Sequence, residues 1–131
     1  MKILLAEDDP SIQVIARLTL QRVGGHEVVV ANNGLEAYEK ALAEKFDLII
    51  LDGMMPEMDG IEACFKLKSN PDTENVPVIF MTAKNQQADI EEGYKAGAIG
   101  YIVKPFDALE LCSEVQKIFS KHLFQSKGHA S

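Results

Sequence analysis

The sequence predicts a doubly wound α/β domain, because five short apolar runs alternate with five segments of helical period, and most of the runs are apolar throughout. Unbroken apolar runs suit strands covered by helices on both faces of a parallel sheet. The first strand is expected over 3–6, where Ile3, Leu4, Leu5 and Ala6 precede an acidic triplet. Asp9-Pro10 then supplies an N-cap with proline at the first helical position. This helix should bury Ile12, Ile15, Ala16, Thr19 and Val23 and stop at Gly24-Gly25. The second run, 27–31, is edge-like, and Asn33 with Glu36 opens the second helix as a capping box. The third strand, 47–51, leads to a third helix capped by Asp59 with Glu62 and ended by Asn70-Pro71. A fourth strand over 78–81 precedes a helix over about 86–96 with a thin stripe of Ala88, Ile90, Tyr94 and Ala96. Gly93 near its middle costs that helix about 1 kcal/mol against alanine, so it should be among the least firmly held elements. The last strand, 101–103, is followed by a helix over 108–123, capped by Asp107 with Glu110 and burying Leu111, Cys112, Val115, Ile118 and Phe119. Residues 125–131 are small and polar, and read as a flexible tail to a domain spanning 1–124.

At 131 residues the chain is long enough for one hydrophobic core and too short for two ordinary domains. Thirteen basic against twenty acidic residues give a net charge of −7, and no basic run is present. That balance argues against direct nucleic-acid binding or attachment to an anionic membrane. The apolar run at the N-terminus is too short for a signal peptide. Cys64 and Cys112 stand alone, without metal-ligand spacing, as reduced small hydrophobes. The expectation is a soluble, cytoplasmic domain.

In such sheets the functional crevice lies outside the carboxyl ends of the strands. The residues just beyond those ends are Glu7, Asp8 and Asp9, then Asp52 through Pro56, then Thr82-Ala83, then Lys104-Pro105. Four strands therefore deliver carboxylates, a hydroxyl and one ammonium to a single edge. Clustered carboxylates repel unless a cation or a proton intervenes, and an all-oxygen set with room for water suits Mg²⁺, or Mn²⁺ in its place. A lysine and a threonine facing that cluster would complete a cradle for a phosphoryl group, with Asp52 as an oxygen nucleophile. Taken singly, each residue has a plainer reading as a helix cap, a surface charge or a turn bond. The combination on one edge is what favours chemistry.

The runs Ile3 to Pro10, Asp47 to Gly60, Met81-Thr82-Ala83 and Gly100 to Phe106 resemble the receiver domain of bacterial two-component response regulators, with matching spacings of 44, 30 and 22 residues between Asp8, Asp52, Thr82 and Lys104. The resemblance implies a flavodoxin-like sheet of order 2-1-3-4-5. It implies that Asp52 accepts a phosphoryl group from the phosphohistidine of a sensor histidine kinase or a histidine phosphotransfer protein. Asp8 would then hold Mg²⁺ directly, Glu7 through water, and the Met54 backbone carbonyl would be a third ligand beside Asp52. Thr82 and Lys104 would contact the phosphoryl oxygens, Tyr101 would turn inward as Thr82 moves, and the Lys104-Pro105 peptide would be cis. The output would be a changed surface on the fourth helix, fifth strand and fifth helix, read by a downstream protein, with the chain a monomer or a phosphorylation-dependent dimer. It would be a switch rather than a turnover enzyme. Glu7 in place of aspartate and Gly53 after the acceptor depart from the commonest pattern and should alter rates. Met54 and Lys84 occupy positions that tune loss of phosphate to water.

Val14 and Leu18, one turn apart on another face of the first helix, are read either as packing on a helix of the phosphodonor or as the edge of a wide core stripe. Three rivals carry less. A phosphatase of the haloacid-dehalogenase type would need a second aspartate where Met54 stands. A flavin module would need a hydroxyl-rich loop where Glu7-Asp8-Asp9 repels phosphate. A degenerate receiver would lack some of the groups present here.

Overall fold

The computed structural model describes residues 1–129. Its elements are β1 (Lys2–Ala6), α1 (Pro10–Arg22), β2 (Glu27–Ala31), α2 (Gly34–Ala43), β3 (Leu48–Leu51), α3 (Gly60–Ser69), β4 (Val78–Thr82), α4 (Gln87–Lys95), β5 (Gly100–Val103) and α5 (Ala108–His129). The strands form one parallel sheet of order β2-β1-β3-β4-β5. β1, β3 and β4 lie inside it, and in the register Leu4 faces Val29 on one side and Ile49 on the other.

The period of two along each strand divides the core between the faces of the sheet. Leu4, Ala6, Ile49, Leu51, Val78 and Phe80 pack on one side with Ala37, Ala63, Cys64 and Leu67 of α2 and α3. Ile3, Leu5, Leu48, Ile50, Ile79 and Met81 pack on the other with Ala16 and Leu20 of α1 and Leu111 and Val115 of α5. Each fully buried leucine or isoleucine contributes about 1.5–3 kcal/mol, so the strand ends that carry the polar groups are anchored by the best-packed part of the molecule.

The caps form as the sequence implies. Asp9 Oδ1 accepts from the N–H groups of Ser11 (2.9 Å) and Ile12 (3.3 Å). Asn33 and Asp59 each accept, at 2.8 Å, from the N–H of the glutamate three residues on. Asp107 departs from this pattern, its carboxylate taking the Leu109 N–H instead.

Three expectations need correction. The buried positions of α1 are Ala16 and Leu20, whereas Ile15 and Val23 are exposed. Ile15 lies about 100° round the helix from Ala16, at the rim, and Val23 falls beyond the last helical residue. In α4 both Ala88 and Tyr94 are exposed and Gly93 is buried. Gly93 is a contact surface as well as a weak helix former: a Cβ there would lie 3.1 Å from the Tyr101 ring and 3.2 Å from that of Phe80. Finally, α5 continues past Leu123 to His129. Gln125 and Lys127 favour the helix and no proline interrupts it, although Ser126 and Gly128 are weaker helix formers. The rest of the expected tail, residues 130–131, lies outside the described residues. Among those residues no helix is long and apolar enough to cross a membrane.

Candidate functional site

The polar groups singled out in the sequence meet at the carboxyl edge of the sheet. Asp52 is placed by its own N–H, which donates to the Ala6 carbonyl at 3.0 Å, and Glu7 by its N–H on Ala31 at 3.1 Å. Both side chains are inside the protein, with Glu7 completely buried and Asp52 5% exposed. Lys104 reaches in from the end of β5 and pairs with both. Its ammonium donates to Glu7 Oε1 and, at 3.0 Å, to Asp52 Oδ2. The second oxygen of each carboxylate also has a donor: Met54 N–H on Asp52 Oδ1 at 3.1 Å, and Asp9 N–H on Glu7 Oε2 at 3.1 Å. Among the described residues, no buried side-chain nitrogen or oxygen lacks a hydrogen bond.

Asp8 is exposed beside this pair, and one carboxylate oxygen from each of Glu7, Asp8 and Asp52 lies within 4.8 Å of the others. Adjacent ligands of an octahedral ion with bonds of about 2.1 Å stand about 3.0 Å apart and opposite ones about 4.2 Å, so the three oxygens must draw together to share one ion. When all are ionised, three carboxylates against one ammonium leave two negative charges uncompensated, a deficit that a dication cancels. The donor set is all oxygen, as Mg²⁺ or Mn²⁺ requires and zinc does not favour. Met54 contributes its N–H to Asp52, and its side chain points to solvent at 59% exposure.

The electrostatics reflect burial first. Burial and the neighbouring Asp52 push the Glu7 carboxyl up to about 7, against the lowering pull of Lys104 and of the Asp9 N–H. Burial lowers the Lys104 ammonium, but its bonds to Glu7 and Asp52 outweigh this and hold it above the ordinary lysine range. Lys104 is therefore a fixed positive charge at physiological pH, while Glu7 is poised to gain or lose a proton.

Thr82 is fully buried at the end of β4, its hydroxyl accepting from Lys84 N–H at 3.3 Å. Tyr101 is half-buried on β5, and its hydroxyl donates to the Lys84 carbonyl at 2.9 Å. Its ring sits tilted against Phe80, with centroids 5.9 Å apart. The Lys84 backbone thus joins the threonine to the tyrosine, a link with no signature in the sequence. The Lys104-Pro105 peptide is cis.

The loop after β3 closes on the site by a backbone approach. Gly60 N–H donates to Gly53 O at 3.2 Å, and a Cβ on Gly60 would fall 2.2 Å from the Asp52 carbonyl oxygen. In the same loop Glu57 has a φ of 67°, a left-handed conformation that sequence pattern did not reveal.

Val14 and Leu18 lie on α1. Val14 is 42% exposed and Leu18 half-buried on the outer side of α1. Beside the site lies an apolar groove of about 520 Å³, lined by Ile12, Ile15, Ala83, Pro105 and Phe106 among others.

The family model for the response regulator receiver domain matches residues 3–116. The chemotaxis protein CheY4 of Vibrio cholerae superposes with a TM-score of 0.83 at 34% identity, covering 89% of this chain and 97% of that one. The receiver domain of the sensor histidine kinase PA1611 of Pseudomonas aeruginosa, solved with a magnesium ion in its active-site cleft, superposes with a TM-score of 0.81 at 32% identity, covering 91% and 97%. The transcriptional regulatory protein SrrA of Staphylococcus aureus is 38% identical over 98% of this chain, which corresponds to 54% of SrrA. The chain spans about half the length of the curated relatives it matches.

Proposed function

Since the chain belongs to the response regulator receiver domain family, we propose that it accepts a phosphoryl group on Asp52 from the phosphohistidine of a sensor histidine kinase or a histidine phosphotransfer protein. One observation carries the reading: Lys104 bridges Glu7 and Asp52 at the edge where Asp8 completes an all-oxygen site.

In the proposed reaction an Asp52 carboxylate oxygen attacks phosphorus, the phosphorus–nitrogen bond breaks, and the imidazole leaves with the electron pair. Glu7, Asp8, Asp52 and the Met54 carbonyl would hold Mg²⁺, which supplies charge neutralisation where two anions must meet. The chain's own groups do the rest. Lys104, already at Asp52, compensates the charge added with the phosphoryl group. Thr82 exchanges its bond from Lys84 N–H for one it donates to a phosphoryl oxygen, and that movement reaches Tyr101 through the Lys84 backbone. The output is a changed surface on α4, β5 and α5, offered to a protein effector. On this reading the chain works as a switch rather than as a turnover enzyme.

The donor's docking surface follows from the same edge. The groove lined by Ile12, Ile15, Pro105 and Phe106 adjoins Lys104, whereas Val14 and Leu18 extend that apolar surface along the outer side of α1. Donor contact is therefore expected first in the groove and then at Val14 and Leu18.

The test is incubation with a small acyl phosphate and Mg²⁺, followed by intact-mass measurement. Wild type should gain one phosphoryl adduct that chelator abolishes, and Asp52→Asn should gain none. An adduct on Asp52→Asn, or no adduct on wild type, would refute the proposal.

A further inference from the structure

The acidic rim is also held from α1 and α2. Asp8 stands between two peptide planes, and each is tied by one hydrogen bond. The plane after it is held through Asp9 N–H, which donates to Glu7 Oε2 at 3.1 Å. The plane before it is held through the Glu7 carbonyl, which accepts from the Gln13 side-chain amide at 2.8 Å. Gln13 belongs to α1 and is half-buried. The same amide nitrogen donates to Asn32 Oδ1 at 3.0 Å, so both of its hydrogens are used and its rotation is blocked. Asn32 in turn donates to Glu36 Oε2 at 3.4 Å, and Lys40 pairs with Glu36 Oε1 at 3.2 Å while donating to the Val30 carbonyl at 2.7 Å. A chain of polar contacts therefore runs from the first two turns of α2 to the peptide bond that precedes Asp8.

We propose that Gln13 is a positioning residue for the divalent ion, clamping the Glu7 carbonyl so that the Asp8 backbone holds its carboxylate beside those of Glu7 and Asp52. The inference rests on the Mg²⁺ reading of the site. Mg²⁺ tolerates little departure from octahedral geometry, and Asp8, an exposed side chain with no ion pair among the described residues, depends on its backbone for its position. Groups that hydrogen-bond a metal ligand change metal affinity by roughly 10- to 100-fold; Gln13 acts one step further out, through the Glu7 peptide, so its effect is expected at or below the lower end of that range. Neither Gln13 nor Asn32 belongs to a sequence motif of the site, and neither touches the reacting atoms.

The test is calorimetric titration of the full chain with Mg²⁺, paired with urea unfolding in chelator. Gln13→Met keeps the length of the side chain and removes its donors, and should weaken Mg²⁺ binding by about 10-fold. Gln13→Arg restores a donor and should bind Mg²⁺ more tightly than Gln13→Met. Asn32→Ala, at an exposed position, should weaken binding less than Gln13→Met does, by freeing the Gln13 amide. The metal-free unfolding midpoint of Gln13→Met should fall only modestly, through loss of the donor to the Glu7 carbonyl and Asn32 Oδ1, while its Mg²⁺ constant falls as well. A purely structural role would lower the metal-free midpoint of Gln13→Met and leave its Mg²⁺ constant alone. If wild type binds Mg²⁺ and Gln13→Met binds it equally well, or if Gln13→Arg is as weak as Gln13→Met, the positioning role is overturned. If wild type itself fails to bind, the Mg²⁺ reading of the site falls with it.

Discussion

Replacing Lys104 by methionine is expected to destabilise the protein in a pH-dependent manner. The substitution keeps the stem and removes the charge shared by Glu7 and Asp52. Stripping one partner from a buried ion pair costs about 3–5 kcal/mol when the remaining charge cannot escape, but here it can. Glu7 already has its carboxyl pushed up to about 7 with Lys104 pulling it down, so loss of the ammonium raises it further and the carboxyl protonates. A carboxyl whose folded pKa lies above its unfolded value of 4.5 contributes stability that is complete below 4.5 and lost as pH rises through the folded pKa. In wild type that loss is over soon after pH 7, whereas in Lys104→Met it continues higher. Each unit of further shift is worth about 1.4 kcal/mol, so the gap between variant and wild type should widen by about 1 kcal/mol from pH 6 to pH 8. Urea unfolding in chelator at the two pH values measures it. An equal gap at pH 6 and pH 8 would refute a charge-sharing role for Lys104.

Three further outcomes follow from the same geometry. Mg²⁺ should bind more tightly at pH 8 than at pH 6, because the ion needs Glu7 deprotonated and that group titrates near 7; calorimetry at both values checks the sign. Glu57→Gly relieves a left-handed residue and should stabilise by about 0.5–1 kcal/mol in urea unfolding, the relief of about 1–2 kcal/mol being offset in part by glycine's added chain entropy. Gly60→Ala drives a Cβ to 2.2 Å from the Asp52 carbonyl, so the loop after β3 must shift; a loss of about 1–3 kcal/mol and a weaker Mg²⁺ constant are expected from unfolding and titration together.

Strand runs, caps and the reactive edge were legible in the sequence because each leaves a local mark. Apolar continuity marks β1, β3 and β4, a cap residue marks each of the first three helices, and chemistry concentrates just past the strand ends. The face of α1 was less legible. Ile15 and Leu20 are equally apolar, and only the angle at which the helix meets the sheet decides that Leu20 is buried and Ile15 exposed. Gly93 read as a flaw in α4 because its neighbour Tyr101 is on another element. The same holds for Gln13 and for the backbone of Lys84, whose partners are distant in sequence or leave no compositional trace. The left-handed Glu57 gave no warning because its loop position favours glycine or asparagine and has neither. At the C-terminus, a polar composition suggested a tail, whereas α5 runs on to His129, with Gln125 and Lys127 favouring the helix and Gly128 opposing it.

Peptide mapping of the phosphorylated chain tests the central claim most directly. After treatment with the acyl phosphate and Mg²⁺, the added group should lie on the peptide that contains Asp52 and be released by hydroxylamine, as an acyl phosphate is. A hydroxylamine-resistant phosphate, or one carried by a serine, threonine or histidine elsewhere in the chain, would contradict it.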